Sequence, residues 1–203
     1  MTKKSLKPAL RFKNFTEAWE QCELGDISKI YRGLTFSPNN LSNKGIRILR
    51  SSNIDEGRFI VFENDIRIKK EFVNVVFANN KDILVTAANG SPNLVGKHAI
   101  ITNIKNNSAV AGGFMLLIRS NSSLFINHAL STFAFSDFLK TNVLGGNGAI
   151  GNLSKSILEK FNIFAPINNE QQKIASFLDN IDNLITLHQR KQKITKLNLI
   201  MIS

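Results

Sequence analysis

Short apolar runs separated by polar turns fill the first part of the chain and predict β-strands. The segment 19–33, WEQCELGDISKIYRG, is typical of a short strand and a helical turn that ends at glycine. DILVTAA at 82–88 runs into the turn-forming NGSPN at 89–93, and FMLLIR at 114–119 predicts a buried strand. The remaining β-favourable runs are IRILR at 46–50, FIVFE at 59–63 and HAIIT at 98–102.

The spacing of apolar residues then becomes helical. Residues 126–144 predict one helix, whose apolar positions include Ala129, Phe133, Phe138 and Leu139. A glycine-rich loop, a short helix near 153–160 and a strand at 161–167 follow. Short strands interleaved with helices predict an α+β (mixed α/β) globular domain over residues 1–165.

The C-terminal segment, residues 166–203, predicts a long amphipathic helix. Asn169 follows Pro166 and can cap the first amides, while Gln172 can cap in return. A helix over 170–202 is about 50 Å long at about 1.5 Å per residue. Its apolar stripe alternates spacings of three and four, and either packs on its own domain or forms a seam with a second helix. The seam residues are Ile174, Phe177, Leu178, Ile181, Leu184, Ile185, Ile194 and Leu197, with His188 beside them.

The net charge of the chain indicates which class of partner it is expected to bind. The chain has 203 residues, 43% of them hydrophobic, and its 26 Lys and Arg against 15 Asp and Glu give a formal net charge of +11. So large an excess favours an anionic partner, nucleic acid first, although a merely solvated basic surface is the alternative. The longest apolar run, at 109–118, is too short to cross a bilayer, so a cytoplasmic protein without membrane attachment is predicted.

Candidate catalytic chemistry is sparse. Cys22 is the single cysteine, which excludes an intrachain disulfide and a cysteine-rich zinc site. Gly146, Gly148 and Gly151 have the G-x-G-x-x-G spacing, but a helix-like segment precedes them where a dinucleotide site requires a strand. We therefore predict no catalytic residues, no metal site and no cofactor.

Polar and basic residues in the inter-strand loops suit DNA recognition. Arg can pair with guanine and Asn with adenine in the major groove, whereas Lys and Ser mostly hold phosphates. For each residue singly an ordinary surface position is the alternative, but together the loops are the best candidates. The candidates are Arg32, Arg47, Arg50, Asn89, Ser91, Asn93 and Lys97, with Arg58 nearby.

Four segments, in this order and spacing, resemble the DNA specificity (S) subunit of Type I restriction–modification systems. They are WEQCELGDISKIYRG, DILVTAANGSPNLVGKHAII, LGGNGAIGNLSKSILEKFNIFAPI and NNEQQKIASFLDNID. The resemblance implies a target recognition domain, residues 1–165, followed by a conserved-region helix, residues 166–203. It also implies that this chain catalyses no reaction itself. Instead, the chain is expected to bind double-stranded DNA and to dock onto adenine methyltransferase (modification) subunits. Restriction subunits are expected to join through the complex. The glycine loop containing Asn147 is then expected to approach the DNA backbone.

Members of this family usually carry two domain–helix units in tandem, whereas each motif occurs once here. The resemblance therefore implies a half-length subunit. We expect a homodimer whose C-terminal helices pair antiparallel as a coiled coil, reading two inverted half-sites across a fixed gap. Two alternatives stay open: a truncated or phase-varied product acting as a decoy that does not read DNA, and a fragment of a DNA methyltransferase or nuclease.

Overall fold

The structure, a computed structural model, describes residues 4–143 and 151–202, with side chains described as far as residue 192. Within these ranges it contains twelve β-strands and five α-helices. The strands are β1 (Ser5–Leu6), β2 (Trp19–Glu23), β3 (Lys29–Arg32), β4 (Leu41–Leu49), β5 (Ile54–Asp55), β6 (Arg58–Phe59), β7 (Arg67–Ile68), β8 (Ile83–Thr86), β9 (His98–Ile100), β10 (Ala109–Ala111), β11 (Met115–Arg119) and β12 (Asn162–Ala165). The helices are α1 (Leu24–Ile27), α2 (Ser123–Leu130), α3 (Phe133–Asn142), α4 (Lys155–Glu159) and α5 (Asn168–Ile202).

The central sheet has the strand order β3-β11-β8-β9, and its pairs are antiparallel. A second sheet, β10-β4-β7, pairs β4 in parallel with β10. A third, β1-β2-β12, joins the N-terminal strands to the strand that precedes α5. The fold thus confirms the predicted α+β class with a long C-terminal helix.

The central sheet is buried on both faces. Ile83 and Val85 of β8 pack with the helices α2, α3 and α4, while Leu84 between them packs with residues of β4, β9 and β10. A strand buried on both sides needs apolar residues at every position. This explains the mostly apolar runs at 82–88 and 114–119, and it confirms the buried strand predicted for the latter over Met115–Arg119, whereas Phe114 before it is 73% exposed.

Two predicted elements differ from the structure. The run 59–63 is a strand only at β6, which ends at Phe59, because the chain then turns at Asp65, whose carboxylate accepts a hydrogen bond from the Phe62 amide. The single helix predicted for 126–144 is two helices, α2 and α3, broken after Leu130. The break turns Phe133 outward, where it is 78% exposed, instead of into the core.

Helix α5 begins at Asn168, one residue before the predicted cap, so Asn169 lies in its first turn and the cap prediction was wrong. The amides of Glu170 and Gln171 instead donate to the carbonyl of Ile167. In the described part of the chain, no helix is long and apolar enough to span a membrane.

Candidate nucleic-acid interface and helix surface

An open cleft of about 800 Å³ lies where the ends of β3, β4 and β8 meet the turn between β10 and β11. Its walls are mostly apolar and its rim is polar. The apolar lining residues are Leu34, Phe36, Ile48, Ile66, Ala88, Phe114 and Met115, and the polar side chains are those of Thr35, Arg50, Ser51, Ser52 and Asn89. The cleft therefore brings two predicted DNA-contacting residues, Arg50 and Asn89, to one site from segments far apart in sequence.

Arg50 is held at the rim by its backbone. Its amide donates to Oδ1 of Asn53 at 2.8 Å, and its carbonyl accepts from the Asn53 amide at 2.9 Å. Asn53 is fully buried, and its Nδ2 donates to Oδ1 of Asp65 at 2.9 Å. The Arg50 side chain is exposed, and no residue of the described ranges forms a hydrogen bond or ion pair with its guanidinium. The fold thus fixes the backbone, and among the described residues the cation has no partner that would keep it from a ligand.

Arg47, three residues earlier, has a different environment. Its Nε lies 3.0 Å from Oδ2 of Asp65, and the two side chains are only 16% and 2% exposed. The Arg47 guanidinium thereby neutralises the charge of the buried Asp65 carboxylate. The same carboxylate accepts a hydrogen bond from Asn53 and so helps to hold the turn at Arg50. The structure therefore gives Arg47 a structural ion pair, and we leave it out of the candidate interface.

The segment from Asn89 to Lys97 forms a small loop between β8 and β9. Oδ1 of Asn89 accepts from the Ser91 amide at 2.9 Å, and a 3₁₀ turn follows at Pro92–Leu94. Hydrogen bonds from Thr86 N to Lys97 O and from Gly96 N to Thr86 O, both 2.8 Å, join the two ends. These bonds hold the exposed Ser91 and Asn93 at the tip, next to the cleft, with Lys97 half-buried at the base.

The other predicted DNA residues lie elsewhere. Arg32 is exposed at the end of β3 opposite Leu116, and it is not among the cleft-lining residues. Arg58 donates to Oγ1 of Thr186 on α5. Asn147, with the glycine loop at 145–150, lies outside the described residues.

His98 supports the loop from beneath. Its Nδ1 lies 2.8 Å from the Gly96 carbonyl and its Nε2 3.1 Å from the Ser131 hydroxyl. Burial lowers the pKa of His98, and hydrogen bonds to the backbone of Gly96 and Asn127 oppose that shift only in part. The imidazole is therefore favoured in its neutral form, and a neutral ring acts here as a structural hydrogen-bonding group.

Helix α5 has two distinct faces. Ala175, Leu178, Asp182 and Thr186 recur at intervals of three and four and so share one face. This face meets the domain: Ala175 is 4% exposed, Asp182 lies 3.8 Å from His128 of α2, and Thr186 accepts from Arg58. The helix therefore packs on its own domain mainly through this face, and Leu178 is the one member of the predicted seam that the face includes.

The predicted seam forms the second face. Its first residue, Ile174, packs against the core, and Leu178 is half-buried. Beyond them the stripe is open: Phe177 is 53% exposed, Ile181 37%, Leu184 66% and Ile185 50%. His188 is also exposed, and the side chains of Ile194 and Leu197 lie outside the described ones.

An N-terminal strap, residues 11–15, crosses the start of α5, and sequence reasoning missed it. Arg11 donates through Nε and Nη2 to both carboxylate oxygens of the fully buried Glu170, each at 2.7 Å. The hydrogen bonds to Glu170 raise the pKa of Arg11. Phe12 meets the Phe177 ring edge-on at 5.8 Å between centroids. The sequence shows only an acidic residue near the start of a predicted helix; its burial, which makes a cation necessary, becomes visible in the structure.

Comparison with known proteins identifies the family. The model of the family described as "Type I restriction modification DNA specificity domain" matches residues 16–198, nearly the whole chain. The chain belongs to this family. Membership confirms the resemblance carried by the four sequence segments, and it places the chain among specificity domains and not among catalytic subunits, as predicted.

Individual proteins that are similar to this chain support the same family assignment. The chain is 24% identical over 171 residues to the Type I restriction enzyme StySPI specificity subunit of Salmonella potsdam, a match covering 81% of the chain and 36% of that protein. A solved structure described as "Structural basis underlying complex assembly and conformational transition of the type I R-M system" superposes with a TM-score of 0.70 at 16% identity, over 98% of this chain and 46% of that one. The HsdS subunit from Thermoanaerobacter tengcongensis gives 0.62 at 16% identity, over 93% and 42%.

At such identities the structural likeness establishes the fold of the specificity domain. The chain spans less than half the length of these relatives. Among the described side chains, no three His, Cys, Asp or Glu residues are grouped as a metal site would require.

Proposed function

We propose that this chain reads a short sequence of double-stranded DNA and directs adenine methylation and restriction by partner subunits. The observation that carries the proposal is the cleft rim, which an exposed Arg50 and a half-buried Asn89 both line, within a domain of the DNA specificity family. Arg and Asn are the side chains that pair bidentately with guanine and adenine edges. The DNA-facing surface is the cleft rim together with the 89–97 loop.

Electrostatics support the same surface. A net charge of +11 draws the chain to phosphate from any direction, without sequence preference. Specificity then requires cations and amides whose positions are fixed before binding. The Asn53 turn fixes the backbone of Arg50 and so limits where its exposed guanidinium can reach, and Asn89 is fixed by the turn that its own side chain closes with Ser91. Ser91, Asn93 and Lys97 of the same loop would hold the backbone, and Arg32 and Asn147 are candidate phosphate contacts.

The exposed stripe of α5 supports self-association. Phe177, Ile181, Leu184 and Ile185 each keep 37% or more of their surface exposed, although the Phe12 ring touches Phe177 edge-on, and α5 packs on α2 through a different face. A second copy related by a twofold axis presents the same stripe, so an antiparallel pair of α5 helices would bury both. The dimer would present two cleft rims in inverted orientation, and thus read a bipartite palindromic site.

In this proposal, methylation and restriction are carried out by other subunits. The methyltransferase (modification) subunit would dock on the dimeric helices and on the adjoining strap, and the restriction subunit would join through it. The division into a recognition domain, residues 1–165, and a helix for pairing and docking, residues 166–203, is part of the same proposal.

The test is adenine-methylation mapping of genomic DNA from cells that express this chain together with its methyltransferase subunit. Methylation at inverted half-sites with one fixed spacing is the expected result. An assembled complex that methylates nothing would refute DNA reading and leave the decoy hypothesis. Methylation at two unlike half-sites would refute the homodimer, because identical copies read identical sequences.

Arg50→Ala tests the rim itself in the same cells. We expect the methylated half-sites to become less selective, or unselective, at one base position. Methylation of an unchanged sequence by this variant would exclude Arg50 from base reading.

A further inference from the structure

Phe114 is a large apolar side chain that the fold leaves in solvent. It is 73% exposed, at the turn between β10 and β11, and it lines the mouth of the cleft. Its carbonyl accepts two hydrogen bonds, from Ala87 N at 2.8 Å and Ala88 N at 3.1 Å. The backbone is therefore fixed by the central sheet while the ring is free, an arrangement that suits a contact with something outside the chain.

The turn that carries Phe114 has no room to move inward. A Cβ on Gly33 would lie 1.8 Å from the Gly112 carbonyl oxygen, and one on Gly112 would lie 3.0 Å from a methyl group of Ile48. The Gly112 amide also donates to the Leu49 carbonyl at 2.8 Å. Backbone packed this closely holds the ring at a fixed place relative to Arg50, which follows Leu49.

The cleft beside the ring has the composition of a ligand site. A volume of about 800 Å³ lies in the range of small-molecule sites, about 300–1,000 Å³, which combine apolar walls with a few polar groups. Here the polar groups are Thr35, the serines 51 and 52, and Asn89. A base that stays in the stack exposes only its edge in a groove of the duplex, so a cleft cannot enclose it. A cleft can enclose a base that leaves the stack.

We propose that the cleft receives one extrahelical base of the bound DNA and that Phe114 is the wedge that fills the gap left in the stack. This deepens the proposed function and rests on it. An apolar side chain inserted between bases compensates part of the unstacking cost, and an aromatic ring does so by stacking. In the cleft, Asn89 and the hydroxyl groups meet the hydrogen-bonding edge of the base, and Arg50 at the rim reads a neighbouring base that stays in the stack. DNA is the occupant favoured by a net charge of +11 and by an exposed cation, Arg50, at the rim.

The experiment uses the full chain without other subunits, and duplexes of the mapped half-site carrying 2-aminopurine at one position at a time. This analogue fluoresces more strongly when it leaves the base stack. The wild-type chain should raise the fluorescence at one position. Phe114→Ala should abolish that rise and weaken binding about 5- to 150-fold, the equivalent of one base–aromatic stack. Phe114→Trp should restore both.

Phe133→Ala is the matched control, because Phe133 is equally exposed, at 78%, but lies on α3 and does not line the cleft. It should behave as wild type. Selective DNA binding that Phe114→Ala leaves unchanged would overturn the wedge while the proposed function stands. No fluorescence rise at any position would do the same. A chain that binds all sequences alike would overturn both. If Phe114→Ala instead blocks only assembly with the methyltransferase, the ring contacts protein and the inference is wrong.

Discussion

Leu184 offers the sharpest test of how α5 is used. In the structure its side chain is 66% exposed, in the middle of the open stripe. Leu184→Glu should leave the fold of the single chain nearly unchanged, within about 0.5 kcal/mol, because surface substitutions of this kind disturb little packing. In the proposed helix pair the same position is buried, and there the substitution removes apolar contact and introduces a charge.

The magnitude follows from the exposed fraction. Complete burial of a leucine side chain stabilises by about 1.5–3 kcal/mol, so burying the exposed two-thirds contributes about 1–2 kcal/mol per copy. A twofold pair contains the residue twice, giving about 2–4 kcal/mol, or a dissociation constant raised about 30- to 700-fold. Desolvation of the new carboxylates adds to this cost.

Sedimentation equilibrium over a range of protein concentrations measures the effect. Asn183→Glu is the matched control, since it introduces the same residue next door, on the side of the helix away from the stripe. Wild type and Asn183→Glu should dimerise alike, and Leu184→Glu should remain monomeric at the same concentrations. Equal dissociation constants for the two variants, or a wild type that never dimerises, would refute the reasoning and assign the stripe to another partner.

Further predictions concern the rim and its supports. Arg47→Ala should destabilise the fold by about 3 kcal/mol, since it leaves a buried carboxylate without its cation, whereas Arg50→Ala should leave the Tm unchanged and reduce discrimination at one base position by about 1–3 kcal/mol. Burial lowers the pKa of His98 in the folded chain, so the unfolded chain, whose His has a pKa of about 6.5, binds the proton first. The contribution of His98 to stability should be complete above about pH 6.5 and decrease as the pH falls below that value. His98→Gln should remove that slope in denaturation curves, and the exposed His188→Gln should not. Gly33→Ala should cost about 3 kcal/mol or more, because the new methyl group overlaps a backbone carbonyl of the β10–β11 turn; a Tm equal to wild type would contradict the close packing inferred there.

Local patterns in the sequence predicted those elements whose periodicity is complete within a few residues. The strand at 114–119, the short helix near 153–160 and the long C-terminal helix were all predicted from spacing alone. The helix over 126–144 was predicted as one element because apolar spacing continues across its break. In the structure α2 and α3 pack into the same core cluster, through residues such as Leu130 and Phe135, and the break between the two helices leaves Phe133 in solvent.

The sequence by itself determined that this protein is a basic α+β domain with an apolar stripe along its last helix, and four ordered segments identified its family. Tertiary structure decided which residues are available for contact. Arg47 and Arg50 look equivalent in the sequence. Asp65, which is 15 or more residues away along the chain, folds back and pairs with Arg47 but not with Arg50. Phe114 belongs to an apolar run that predicts a buried strand, yet the glycine turn before it places its ring at the mouth of the cleft. The physical reason is common to both: exposure depends on which distant segment packs against a residue, and local periodicity contains no information about that segment.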